Sequence, residues 1–419
     1  AGVEAGISQP QAVFYEYDKT YNNHIVEAVT ESAFYRPFLN LPVGFSASFK
    51  DSIISVAKAS VQNNCIKQYK KIKTFFETEY FPNTRKEIGV SSVPNGKEFY
   101  QNRINFYTTS KKYTAEDIHN IGLEEVARIK LDMMKIITEL NFKGSFADFL
   151  KFLRTAPQFY PKTAEELLMF ARDVSKRIDA ELPKFFKTLP RKPYGVVPVP
   201  AAIAPNYTSG RYSVSENETT AGFYWVNTYN LPSRTLYTIP ALTAHEAVPG
   251  HHLQISLNNE LPKTIPVFRR ELYLSAFGEG WGLYAETLAA EMGIYTTPYE
   301  KFGKLTYEMW RACRLVVDTG VHALGWTRQQ VLEYMTSNTA LSLHEVRTET
   351  DRYISWPGQA LSYKIGEIKI RQLRAEAEKA LGIAFDIRDF HEVILNQGTV
   401  TLSILEKRVQ RYIAKKKDE

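Results

Sequence analysis

The chain has 419 residues, 44% of them hydrophobic and 13% aromatic, which is enough apolar surface for one large core or two closely packed ones. Its net charge is +6 with 23% charged residues, and no basic block is interleaved with aromatics, so no nucleic-acid partner is expected. Cys65 and Cys313 are far apart in segments that read as helical and give no disulfide framework; no run approaches the ~20 apolar residues of a membrane-spanning helix, so no integral membrane segment is expected.

The chain starts at Ala1 rather than Met, and a segment removed upstream is the expectation. Up to about residue 185 it reads mainly as amphipathic helices. Thr114 and Asp117 announce a helix whose apolar positions, Gly122, Val126, Ile129, Met133, Ile136 and Leu140, recur every three or four residues. Thr163 and Glu166 form the same capping pattern ahead of Leu167, Phe170, Val174, Ile178 and Leu182, until Pro183 stops or bends the helix.

Prolines 190, 193, 198, 200 and 205 exclude a helix and require extended chain. The stretch divides an N-terminal helical subdomain, 1–189, from a second, 190–419, the two expected to form one compact unit. Beyond it, Arg211 to Glu216 and Gly222 to Thr228 read as an antiparallel hairpin. Helices return from about Leu242, Thr327 with Gln330 opens another, and breaks fall near Gly382 and Gly398. Lys415 to Lys417 read as a solvated helix end. The fold class is mostly α, with a small antiparallel β element preceding the key motif.

That motif is Thr243-Ala-His245-Glu246-Ala-Val-Pro249-Gly250-His251-His252-Leu-Gln254. In zinc hydrolases an imidazole binds the metal while the adjacent carboxylate faces the bound water as general base, the roles expected of His245 and Glu246. The usual second histidine comes four residues on; here the candidates are six or seven on. On a straight helix these sit about 120° off the face, or about 10.5 Å away, and neither could share an ion with His245. Pro249 cannot bond the carbonyl of His245 and clashes with it, so the helix must break, and Gly250 lets the chain return a histidine to the metal. His251 is preferred as that ligand, with His252 second. Glu279, flanked by Gly278, Gly280 and Gly282, is the expected third ligand; Glu286, seven residues on, is an alternative ligand or a supporting ion-pair partner.

His245 to Gln254, Glu279-Gly-Trp281-Gly-Leu-Tyr-Ala-Glu286, Arg314-Leu-Val-Val-Asp318-Thr-Gly-Val-His322 and Arg352-Tyr353-Ile-Ser-Trp-Pro-Gly-Gln359-Ala-Leu-Ser-Tyr363-Lys-Ile-Gly366 together resemble the bacterial family called domain of unknown function 885. The likeness covers nearly the whole chain, and members are usually longer at the N-terminus. The family is grouped with helical zinc peptidases of the gluzincin type, similar to angiotensin-converting enzyme, thimet-type oligopeptidases and thermostable carboxypeptidases. The resemblance implies a large helical fold with a deep cleft that admits short peptides, and a zinc cofactor. It also implies export to the periplasm or beyond rather than retention in the cytoplasm.

In such enzymes a tyrosine or histidine near the metal donates to the oxyanion, and Tyr363 is the first candidate, Tyr353 the second, against a background of 25 tyrosines that mostly pack. Asp318 and His322 form either a carboxylate–histidine dyad at the cleft, making His322 catalytic, or a structural helix pair. Arg352 clamps a peptide carboxylate or pairs with Glu349. Tyr353 is grouped with Arg352 as substrate-binding, and Asn227, on a strand whose edge suits an extended peptide, is a candidate for fixing the substrate backbone. The expected function is zinc-dependent hydrolysis of short peptides. A hydrolase of a non-peptide amide or ester, or a non-catalytic helical binding protein, is the alternative.

Overall fold

The computed structural model describes residues 1–419 apart from Glu216, Glu218, Glu419 and the side chain of Asn206. It is mostly helical, 67% helix against 4% strand, as the sequence periodicities require. The chain divides into two compact units, Ala1–Ile88 with Ser92–Gly96, and Gly89–Ser91 with Lys97–Glu419.

In the first unit, helices α1 (Ala47–Ser60) and α2 (Lys67–Phe75) are joined by the π-type turn Val61–Ile66, and Tyr35, Ala57, Val61 and Ile66 form a small core. Ahead of them the chain consists of turns, 3-10 segments and one four-residue helix, Lys19–Asn22, so the expected helical reading does not extend to the first 46 residues.

In the second unit come α3 (Gly96–Thr108), α4 (Ala115–Glu139), α5 (Phe146–Thr155) and α6 (Ala164–Phe185). α4 has its reciprocal Thr114–Asp117 cap and buries Gly122, Val126, Ile129, Met133 and Ile136 along one stripe. At α6, Thr163 accepts from Glu166 N, but the Glu166 carboxylate turns to Lys162 N instead of closing the box. Pro183 sits in the last turn of α6, which closes two residues later.

The proline-rich stretch is extended, and part of it is a strand. β1 (Tyr194–Pro198) runs parallel to β3 (Gly222–Val226), and β2 (Gly210–Ser213) pairs antiparallel with β3, giving the order β1-β3-β2. The hairpin is therefore part of a mixed sheet, and β3 is its centre. The first strand was expected to reach Glu216, which lies outside the described residues. Tyr224 and Val226 are buried and Phe223 is not, the alternation of a half-covered strand.

Apart from the five-residue helix Val267–Glu271, the remaining helices are α7 (Ile239–Glu246), α8 (His251–Asn259), α9 (Ser275–Glu291), α10 (Pro298–His322), α11 (Arg328–Asn338), α12 (Leu343–Ser355), α13 (Ser362–Leu381), α14 (Ile387–Leu395) and α15 (Leu402–Asp418). α13 ends at Gly382 and α14 closes ahead of Gly398, where breaks were expected. The tightest helix pairs are α9 with α13 and α10 with α4. In the first pair, Gly280 meets the backbone of Gly366 so closely that a Cβ there would lie 2.6 Å from it. A buried charge cluster ties α4, α10 and α13: Lys364 lies 2.8 Å from Glu125, 3.0 Å from Glu308 and 2.9 Å from Glu367.

Candidate metal centre

The site begins at a helix break. α7 ends at Glu246, Ala247 leaves the helical region with φ −93° and ψ −110°, and α8 starts at His251. The Val248–Pro249 peptide is cis. Gly250 presses so hard on the end of α7 that a Cβ would lie 1.9 Å from the carbonyl oxygen of His245, a space that only glycine fits. Three hydrogen bonds hold the break: Ala247 N donates to Thr243 O (2.9 Å), His252 N to Ala247 O (3.0 Å), and Trp281 Nε1 to Pro249 O (2.8 Å). The Pro-Gly step thus interrupts the helix as expected, and brings the rings of His245 and His251 to 4.8 Å between centroids, nearly perpendicular at 88°.

α9 supplies the third group. Glu279 Oε2 lies 3.5 Å from His245 Nε2 and 3.3 Å from His251 Nε2, and one donor atom from each of the three residues lies within 4.8 Å of the others. Tetrahedral zinc with bonds of about 2.0–2.1 Å sets neighbouring ligands about 3.4 Å apart. The two imidazole–carboxylate separations match that edge, and two imidazoles with one carboxylate form a donor set suited to zinc. Gly282 makes room for the arrangement, since a Cβ there would stand 2.7 Å from Cε1 of His245.

Two carboxylates flank His245. Glu286, fully buried, accepts from His245 Nδ1 at Oε1 (2.8 Å), and the same oxygen lies 3.1 Å from Arg311 Nη2. His245 is therefore oriented with Nε2 toward Glu279, as a metal-ligating histidine requires. Burial alone would lower the pKa of His245, but Glu279, Glu286 and Glu246 outweigh it and raise the imidazole to about 9. Burial likewise opposes ionisation of Glu279, and the nearby His251 and His245 hold it well below the usual carboxylate range. Glu246 caps the arrangement: its Oε2 accepts the backbone N–H of Tyr212 at 2.8 Å, which ties the end of α7 to β2.

His245, His251, Glu279 and Glu246 are thus gathered around the break, with Glu286 behind them. His252, the second choice for the ligand, points elsewhere: its Nδ1 lies 3.0 Å from Tyr212 Oη and 3.3 Å from Ser256 Oγ, and burial lowers its pKa to about 4. One residue along a helix turns a side chain by about 100°, which carries His252 to the sheet when His251 faces Glu279.

The other expected site residues all have partners within the chain. Asn227 Nδ2 donates to the carbonyls of Ala204, Tyr207 and Thr208, and Oδ1 accepts Tyr229 N, so this buried amide is engaged by its own chain. β3 is flanked on both sides and has no open edge. His322 is fully buried, with Nδ1 accepting Val90 N and Nε2 against Tyr353 O, while Asp318 receives Tyr100 Oη (2.6 Å) and Gly358 N (3.1 Å). Both side chains are thus bonded within the fold. Tyr353 Oη is engaged by Trp310 Nε1 (2.7 Å) and Arg314 Nε (3.0 Å), which saturates it in the core. Arg352 pairs with Glu349 at 3.5 Å and donates to Gln359 at 3.1 Å, the structural alternative. Tyr363 is buried under the Arg314 guanidinium, 4.4 Å from its ring centre, and its hydroxyl receives Gln359 Nε2 at 3.4 Å.

One neighbour was not foreseen. Tyr273, six residues before Glu279, donates its hydroxyl to Glu279 Oε1 at 3.1 Å. It precedes α9 in a non-helical segment, where no periodicity signals a return to the site; its place among three exposed apolar residues, Val267, Phe268 and Leu272, carried no mark of the contact.

Fold and site define a mostly helical protein with a His–His–Glu cluster built across a proline–glycine helix break. The chain belongs to the family described as bacterial protein of unknown function (DUF885), matched over residues 1–409. Among solved structures it is similar to one described as the "putative lipoprotein" from Colwellia psychrerythraea, with 32% identity and a TM-score of 0.90, covering 96% of this chain and 69% of that one. A protein of unknown function from Shewanella oneidensis, also described as a lipoprotein of that kind, shares the fold at 20% identity and a TM-score of 0.67, over 96% of this chain and 73% of that one. No curated protein matches. Among the described residues, no helix is long and apolar enough to cross a membrane.

Proposed function

We propose that this protein is a zinc-dependent metallopeptidase acting on short peptides. The observation that carries the reading is the convergence of His245, His251 and Glu279 to within 4.8 Å of one another. A zinc ion bound there supplies Lewis acidity and brings the pKa of a coordinated water toward neutrality. The two imidazoles and Glu279 hold the ion, and Glu286 keeps His245 in the ligating orientation. Glu246, one residue from His245 and fixed at Oε2 by Tyr212 N–H, takes a proton from the attacking water and returns it to the leaving amine. Tyr363 is the candidate donor to the oxyanion.

The likeness to gluzincin-type helical peptidases, with a channel that selects short peptides, rests on the motif resemblance and belongs to the same proposal. So does a periplasmic or secreted location, which the lipoprotein descriptions of the two similar structures support. A second reading, a non-catalytic helical protein, is favoured by one observation: His245 stands between two carboxylates, 3.5 Å from Glu279 and 2.8 Å from Glu286, and can pair with them without any metal.

The test is Glu246→Gln, assayed against a peptide library with zinc loaded. The expected result is one zinc per chain retained and turnover lower by about 10²–10⁴-fold. Turnover equal to the parent, with the metal still bound, overturns the enzymatic reading.

A further inference from the structure

The two oxygens of Glu279 are committed to different partners. Oε2 faces both imidazoles, at 3.5 Å from His245 Nε2 and 3.3 Å from His251 Nε2, while Oε1 receives the hydroxyl of Tyr273 at 3.1 Å. The Tyr273 ring lies on the α9 backbone at Gly278, where an added Cβ would stand 2.5 Å from the hydroxyl and 2.6 Å from the ring carbons, so the bare glycine sets the position of the phenol. About half of the Tyr273 surface is exposed, which makes the residue a rim group rather than a piece of core. A hydrogen bond to one carboxylate oxygen orients the group and favours ligation through the other oxygen. A carboxylate free at both oxygens can bind through both and raise the coordination number.

We propose that Tyr273 is a positioning residue that holds Glu279 to one-oxygen ligation, so that His245, His251 and Glu279 occupy three positions and a fourth stays open for water or substrate. The proposal rests on the metal-centre reading above. Gly278 is its second element, because it seats the phenol.

The experiment compares the whole protein with Tyr273→Phe and Gly278→Ala, by zinc competition titration, visible absorption after loading with Co²⁺, and thermal unfolding. Four-coordinate Co²⁺ absorbs strongly and five-coordinate Co²⁺ weakly, which reports ligation without any assay of turnover. The expected result is one Co²⁺ per chain in all three proteins, strong absorption in the parent, weakened absorption in both variants, and zinc affinity reduced about 10- to 100-fold. Apo Tyr273→Phe should melt with the parent, which separates ligation from folding. Parent-like spectra and affinity in Tyr273→Phe overturn the role of Tyr273 and leave the metal centre standing. A parent that binds neither Zn²⁺ nor Co²⁺ overturns the metal centre itself, and the positioning role with it.

Discussion

The Glu286 carboxylate takes the Nδ1 side of His245 at 2.8 Å, and this leaves Nε2 as the ring nitrogen turned toward Glu279 and His251. Because Glu286 is fully buried and lies 3.1 Å from Arg311, swinging it to become a ligand would take from that buried guanidinium its carboxylate partner. Glu286→Gln should therefore retain the fold and lose about 10- to 100-fold in zinc affinity, measured by competition with a chelator of known affinity. Affinity equal to the parent would show that the contact does not orient the ligand.

Gly282 tests the same ring from the opposite side. A methyl group at this position would overlap His245 at 2.7–2.8 Å, and the imidazole is already fixed by Glu286. Gly282→Ala should cost about 1–3 kcal/mol of stability by overpacking and weaken zinc binding more than tenfold. Calorimetric melting and metal titration on the same sample measure both, and a variant that binds zinc like the parent would place the ring elsewhere.

How much of this was legible in the sequence depends on how local the cause is. The stripe of α4 and the Thr114 cap follow from spacing and could be read directly. So could the break at Pro249 and Gly250, since a missing N–H and a missing Cβ act on the residues beside them. The partners of Asn227, His322 and Tyr353, namely Ala204 and Tyr207, Val90, and Trp310, are chosen by the tertiary fold, and spacing along the chain does not announce them. Each has the chemistry of a site residue, and each spends it on its own chain. β1 hid among prolines, which read as extended chain and give no sign of a pairing partner.

Lys364 has no solvent contact and faces Glu125, Glu308 and Glu367, so removing its charge leaves three close carboxylates to Arg128, Lys304 and Arg371, with a fully buried cation fewer among them. Lys364→Met should destabilise the protein by about 3–5 kcal/mol in denaturant unfolding. A change below about 1 kcal/mol would show that water reaches the cluster, as at an exposed ion pair.

Asp318 sets a pH dependence. Burial raises its carboxyl to about 7, against the opposing bonds from Tyr100 and Gly358 N, while an unfolded aspartate ionises near 3.9. Between those values the folded chain holds a proton that the unfolded chain has lost, so this group's contribution is complete below pH ~4 and disappears as pH rises through 7. Asp318→Asn keeps an acceptor and removes the titration. Its stability should exceed that of the parent increasingly from pH 5 to 8, by an amount on the order of 4 kcal/mol at most. A constant difference between the two proteins across this range would show that Asp318 is ionised in the fold.

The central claim is that one cation binds between the two sides of the helix break, and anomalous scattering at the zinc edge from a zinc-loaded crystal addresses it most directly. The account predicts a single peak about 2.0–2.2 Å from His245 Nε2, His251 Nε2 and Glu279 Oε2, with His252 still beside Tyr212. A peak bound elsewhere, or none at saturating zinc with the three side chains in place, would contradict it.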